Sequence, residues 1–197
     1  AALGKPGPNM NGAGRVAVAH AQSGVKVDVR RAGADGALSA PKSVSLLWAF
    51  GVPAIAEQVL AAHRAAVTET VQHLDSYASH ALRGHQGDGQ RAEKIGTDGL
   101  IVAGFEHLTS RADDPQLHTH LVIANLVHGV DGRWSALDTR ALFRVQRTAG
   151  YLYQAALRGQ LTARLGLDGE PVGNGMAEIR GVPSGLLREF STRRRAI

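Results

Sequence analysis

The chain has 197 residues, with 22 Lys plus Arg, 17 Asp plus Glu, nine His and no Cys, and carries a net charge of +5 with His neutral. That length suits one domain, or one and a half, and is ample for a buried core, while the absence of Cys excludes a disulfide framework, a thiolate metal site and a Cys nucleophile. No run of 18 uncharged apolar residues exists, so no membrane insertion is expected, and the positive balance points weakly to an anionic partner such as nucleic acid.

Residues 1–14 are rich in Gly, Pro and Asn and read as a flexible N-terminal segment ahead of a core spanning 15–197. Val16, Val18, Val25, Val27 and Val29 alternate around Gly24, the pattern of a short hairpin or two strands. Residues 31–43 read as a loop with Pro41 near its end. The apolar run 44–50 is a strand or a buried helix, and periodicity does not separate the two.

From Val52 the pattern turns helical. Ile55, Val59, His63, Ala66, Val67, Thr70, Val71, Leu74, Ala78 and Ala81 recur at spacings of three and four. Pro53 suits the first turn, and the helix is expected to reach Arg83, with 84–98 an exposed loop or hairpin tip. Residues 100–107 and 117–127 are apolar on both faces, as central strands are, and the connection between them allows antiparallel neighbours. Asp131-Gly132 centres a turn. A second long helix is expected over 139–165, on a stripe of Leu142, Val145, Ala149, Leu152, Ala156, Gln160 and Ala163, with Arg140, Arg144, Arg147, Arg158 and Arg164 outside it. A Gly-rich turn (166–175) then leads to a short closing helix and a basic cluster.

Three histidines carry the chemistry. His118 and His120 stand two apart in an expected strand, so both side chains leave one face, roughly 6.5–7 Å apart along the backbone. His107 ends the preceding strand, and an antiparallel return would bring it opposite the pair. Three neutral imidazoles can cap one divalent ion and leave positions open for a substrate. The alternative is that they are ordinary strand histidines, satisfied by their surroundings.

The wider string around them is more specific. HLTSRADDPQLHTH (107–120) resembles the third motif of the MobF family of conjugative relaxases, the tyrosine HUH nucleases, whose pattern is a His, then T-S-R, then D-P-Q-L-H-T-H. His107, Thr109, Ser110, Arg111, Asp114, Pro115, Gln116, Leu117, His118, Thr119 and His120 all fall in place. DGALSAPKSVSLLW (35–48) is similar to the family's D-L-T-F-S-A-P-K-S-V-S segment, with Asp35 four residues before Ser39, as the family aspartate is. The closing stretch 181–197 also resembles the family, and the likeness covers roughly residues 25–197.

The resemblance implies an α+β fold, a central antiparallel sheet flanked by helices. It implies a cytoplasmic bacterial enzyme that nicks one DNA strand at a plasmid origin of transfer. A Tyr hydroxyl attacks the scissile phosphate, becomes linked to the 5′ side and releases a free 3′-hydroxyl, so the strand can be rejoined. Implied partners are single-stranded or hairpin origin DNA and the conjugative secretion machinery. The metal set is His107, His118 and His120. Three imidazoles suit Zn, Mn, Ni or Co by ligand preference, whereas the family is associated with Mg or Mn.

Asp35 would orient a ligating imidazole or accept the Tyr proton; its alternative is a loop cap. Lys42 and Arg111 are candidates for phosphate contact; for either, the alternative is a solvated loop charge or an internal ion pair. Ser39 and Ser43 are candidate caps of the following segment, and Trp48 and Trp134 either stack on bases or pack. The chain has no Tyr before Tyr77. Tyr77, Tyr151 and Tyr153 fall in expected helices and read as structural, so the likeness is to a nuclease core without the family's N-terminal catalytic Tyr segment. A second function is therefore open, a core that binds origin DNA without cutting it.

Overall fold

A computed structural model describes residues 16–19, 26–29, 32–84 and 92–192. The expected flexible segment 1–14, the tip at 85–91 and the basic cluster Arg193, Arg194 and Arg195 lie outside the described residues.

Strands β1 (Val16–Ala19) and β2 (Lys26–Val29) pair antiparallel, Val16 opposite Val29, as the valine alternation predicts. Residues 31–43, expected as a loop, instead hold strand β3 (Gly33–Ser39) and the start of helix α1 (Lys42–Phe50). The less exposed residues of β3 are Ala34, Gly36 and Leu38, and the first two are too small to give a hydrophobic alternation. Gly33 is required where it stands, because an added Cβ would collide with the carbonyl oxygen of Ile123. Helix α1 settles the ambiguous apolar run; no side chain caps it, its N-cap being Pro41.

Helix α2 (Pro53–Ala78) begins on the expected proline but stops five residues short of Arg83. Residues 80–83 form strand β4 (His80–Arg83), which pairs antiparallel with β5 (Glu93–Gly96), so the expected loop also holds a strand. Strands β6 (Val102–Thr109) and β7 (Pro115–Ala124) follow, then the small pair β8 (Val127–His128) and β9 (Trp134–Ser135) around the Asp131-Gly132 turn. Helix α3 (Thr139–Leu165) has the predicted bounds. The Gly-rich turn folds as an antiparallel hairpin, β10 (Gly169–Gly173) with β11 (Met176–Ile179), and α4 (Ser184–Glu189) closes the described chain.

The sheet that matters has the order β3-β7-β6. Ala40 N–H donates to Leu117 O at one end and Asn125 N–H to Ala32 O at the other, so β3 runs against β7. Ala124 N–H donates to Ile101 O, and β6 and β7 join through residues 110–114, so that pair is antiparallel too. Among the described strands of this sheet, β7 alone has two neighbours. The expectation that β6 is also central fails: it is an edge strand among the described residues, with Phe105 and Leu108 exposed.

The chain divides into two compact units. One comprises residues 1–35, 75–103 and 121–142, with a core of Ala78, Ala81, Leu121, Ile123, Val127, Leu137 and Leu142. The other comprises residues 36–74, 104–120 and 143–197, and its core gathers Leu38, Val44, Leu46, Val59, Ala62, Ala66, Leu117, Tyr153, Leu157 and Leu161. Each fully buried side chain of Leu or Val size contributes about 1.5–3 kcal/mol. The buried stripe of α3 runs Ala149, Tyr153, Leu157, Leu161, one position away from the expected Leu152 and Ala156. No helix among the described residues is long and apolar enough to cross a membrane.

Candidate metal centre

Strand β7 separates two chemistries by its pleat. Leu117, Thr119, Leu121 and Ile123 are buried on one face, while Gln116, His118 and His120 lie on the other and line a cleft. Period-two geometry makes that division obligatory. His107, near the end of β6, joins the pair as the antiparallel return predicts. The three imidazole rings stand 5.1, 5.1 and 5.3 Å apart between centroids, and one ligand nitrogen from each lies within 4.8 Å of the others.

His118 Nδ1 lies 2.8 Å from the Gln116 carbonyl oxygen. A carbonyl can only accept, so that nitrogen carries a proton, and in the neutral ring it is Nε2 that has the free lone pair. An outer contact of this kind fixes the tautomer of a ligating imidazole. The donor set is thus three imidazole nitrogens, one of them on a ring whose orientation is held by that bond, and it suits a divalent cation of imidazole preference.

The cleft in front of the histidines is open and has a volume of about 950 Å³. Ser39, Lys42, Thr109, Ser110, Arg111 and Ser191 also line it, so hydroxyls and two cations surround the imidazoles. Lys42 is half-buried and donates from Nζ to Pro115 O at 2.7 Å. Burial lowers its pKa, against the opposing pull of Asp114 and Glu178. Arg111 is exposed on the turn between β6 and β7. Buried Asp114, on the same turn, accepts from Thr192 N–H at 2.8 Å and from the Thr192 hydroxyl at 3.1 Å. This ties the C-terminal segment to the rim of the cleft.

The other sequence candidates fall as follows. Asp35 is exposed on β3, on the strand face it shares with Ala37 and Ser39. Ser43 caps nothing; its backbone N–H donates to Glu178 at 2.8 Å and its hydroxyl accepts from Ile179 N–H at 2.7 Å, joining α1 to β11. The Ser39 carbonyl accepts from the Gln154 side chain at 3.0 Å. Trp48 is half-buried, and Trp134 is exposed beside His128, with ring centroids 5.0 Å apart.

No tyrosine is among the described residues that line the cleft. Tyr153 is buried, its hydroxyl 2.7 Å from His63 Nδ1, and burial pushes its pKa far up, out of the range of an accessible nucleophile. Tyr151 and Tyr77 are exposed on α3 and α2.

Sequence reasoning passed over three contributors. Asp114 holds the rim. Gln116 orients His118 through its backbone, which no side-chain pattern reports. His63 lies behind the sheet, and its place on the apolar face of α2 was the available signal.

A family model described as TrwC relaxase matches residues 7–197. The multifunctional conjugation protein TraI of Escherichia coli is 38% identical over 177 residues, which are 85% of this chain and 9% of that protein. TraI of Escherichia coli strain K12 is 36% identical over 177 residues with the same coverage. Among solved structures, the conjugative relaxase TrwC in complex with oriT DNA, in its metal-bound form, superposes with a TM-score of 0.76 at 31% identity, covering 92% of this chain and 59% of that one. TrwC complexed with a 27-mer DNA comprising the recognition hairpin and the cleavage site gives 0.74 at 32% identity, covering 88% and 58%. The chain therefore spans about a tenth of the length of those TraI relatives and under two thirds of the TrwC chains.

Proposed function

The chain belongs to the TrwC relaxase family, and on that premise we propose that it is the metal-binding part of a cytoplasmic DNA relaxase that nicks and transfers one strand at an origin of transfer. The observation that carries the reading is the convergence of His107, His118 and His120 at the floor of a cleft lined by hydroxyls and cations.

A divalent cation held by the three imidazoles would supply positive charge to the non-bridging oxygens of a phosphodiester. The residues around it do the rest. Neutral imidazoles leave the cation's charge undiminished. Arg111 and Lys42 attract the DNA backbone into the cleft, and the Thr109 and Ser110 hydroxyls are donors for phosphate oxygens. Asp35 has the role its motif implies, acceptor of the nucleophile's proton or partner of a ligating imidazole. The nucleophile is a tyrosine outside these 197 residues, since Tyr153 is buried and bonded and no described tyrosine lines the cleft.

The test uses a labelled single-stranded oligonucleotide carrying an origin hairpin and its cleavage site. The chain is expected to shift it in a gel and to leave no denaturant-stable adduct. An adduct mapped to Tyr77, Tyr151 or Tyr153 would overturn the assignment of the nucleophile, and failure to bind origin DNA would overturn the function. In the full-length protein, nicking is expected to cease with EDTA and in His118→Ala. Nicking that survives both would remove the metal from the reading.

A further inference from the structure

We propose that a buried hydrogen-bonded chain, Tyr153–His63–Thr119, is the positioning device of the histidine cluster, holding β7 at the one register in which His118 and His120 meet His107. The inference rests on the reading of those three histidines as a metal site.

Thr119 lies between His118 and His120 in sequence and on the opposite face of the strand. It is the one polar residue in the buried row Leu117, Thr119, Leu121, Ile123. Its Oγ1 stands 2.7 Å from His63 Nε2 on α2, and His63 Nδ1 stands 2.7 Å from the Tyr153 hydroxyl on α3. All three residues are nine-tenths buried or more. The Tyr153 and His63 rings meet edge to face, with centroids 5.7 Å apart. Burial holds the imidazole neutral, with one N–H and one lone pair, and both are used.

An apolar row alone would leave β7 free to slide. A two-residue shift keeps the same strand face toward the helices, puts a leucine where Thr119 was and puts Thr119 where a leucine was. It would also carry His118 and His120 roughly 6.5–7 Å along the sheet and away from His107. The hydroxyl at 119 separates the registers. After such a shift His63 Nε2 would face a leucine, and a buried polar atom would lose its partner, a cost no neighbouring water relieves in a packed core. A second tie acts one turn of the pleat away, where Leu117 N–H donates to the buried Ser45 hydroxyl of α1 at 3.0 Å. Buried polar links of this kind enforce a unique arrangement in some proteins, and that is the role assigned to this one.

The probe is Co²⁺ added to the 197-residue chain, with affinity read by calorimetry and ligand geometry by the visible absorption spectrum. Thr119→Val keeps the shape of the side chain and removes the hydroxyl. It is expected to weaken Co²⁺ binding about ten-fold, by analogy with other supporting contacts of metal ligands, and to shift the spectrum. Thr119→Ser is expected to restore both. Tyr153→Phe removes only the outer link and should give a smaller loss in the same direction, so the question stays answerable if the valine variant does not fold. Unchanged affinity and spectrum in the folded variants would overturn the inference, whatever happens to melting temperature. The His118→Ala variant separates the two levels. If it binds Co²⁺ as tightly as the unaltered chain, the metal site is wrong and the inference falls with it; if it loses binding while Thr119→Val does not, only the inference falls.

Discussion

The Arg64 guanidinium grips the Glu106 carboxylate with two hydrogen bonds of 3.0 and 2.9 Å, and Glu106 is the residue immediately before His107. The strand pleat sends the two neighbours to opposite faces, so the pair ties edge strand β6 to α2 from behind while His107 looks into the cleft. The Arg64 side chain is 63% exposed. Exposed pairs of this kind contribute about 1 kcal/mol or less and weaken with salt. Arg64→Met is expected to lower stability within that limit, and less in high salt, with Co²⁺ affinity nearly unchanged. Urea unfolding at two ionic strengths measures it; a loss of metal binding comparable to that of Thr119→Val would show that the exposed tie, and not the buried one, positions the site.

Removing a ligand should cost far more. His118→Ala is expected to abolish divalent-metal binding in calorimetry, and His107→Ala, on the exposed edge strand, to weaken it strongly. Retention of wild-type affinity by both variants would dissolve the three-histidine site.

His63 sets a pH dependence. Burial holds its pKa at about 4, below the ordinary 6.5; Glu106 opposes the shift, and His118 and Arg64 reinforce it. The unfolded imidazole takes up a proton as pH falls through 6.5, and the folded one does not until about 4. The unfolded state therefore binds more protons in that window, and stability falls as pH drops through it. The gap corresponds to a loss on the order of 3 kcal/mol, complete near pH 4 and absent above neutrality. Urea unfolding of metal-free protein at pH 7.5 and pH 5 reads it. His63→Gln, though less stable at pH 7.5, should lose less between the two; equal losses in both proteins would refute the assignment.

The two cleft cations should differ. Arg111 is exposed, so Arg111→Ala is expected to leave stability within about 0.5 kcal/mol. It should weaken binding of single-stranded oligonucleotides of any sequence and reduce the salt slope of log K by about 0.7. Lys42 bonds Pro115 O from a half-buried position, so Lys42→Ala should also destabilise, by about 1 kcal/mol. A salt slope unchanged in both variants would take the DNA path elsewhere.

Gly33 offers a purely steric test. Gly33→Ala would drive a methyl into the Ile123 carbonyl, backbone against backbone, at a cost of about 1–3 kcal/mol. A melting temperature equal to that of the unaltered protein would mean that β3 can draw away from β7.

The site was more legible in the sequence than the fold around it. Side chains two apart in a strand must share a face, so His118 and His120 were placed by spacing alone, and the short return to His107 followed. Strand β3 was hidden because Ala34 and Gly36, on its less exposed face, are too small to mark a hydrophobic row. The overlong α2 has a different cause: Ala78 and Ala81 continue the helical spacing, yet Ala81 belongs to β4, whose pairing with β5 is settled outside the local pattern. In α3 two apolar rows compete, and the buried one was decided by Tyr153 reaching His63, a contact 90 residues apart in sequence. Strand β6 reads as central because Ile101, Val102 and Phe105 are apolar, while its place at the sheet edge depends on strand order, which composition does not encode.

Asp114 takes both of its side-chain hydrogen bonds from Thr192, far along the chain from the histidines. A protease cut or an expression boundary placed just upstream of Thr192 would keep every imidazole, both cleft cations and all of the sheet. It would nevertheless leave a buried carboxylate with neither of those donors, on the same turn that carries Arg111. Residue 192 is thus the earliest point at which a fragment can stop and still keep the Asp114–Thr192 tie at the rim of the cleft.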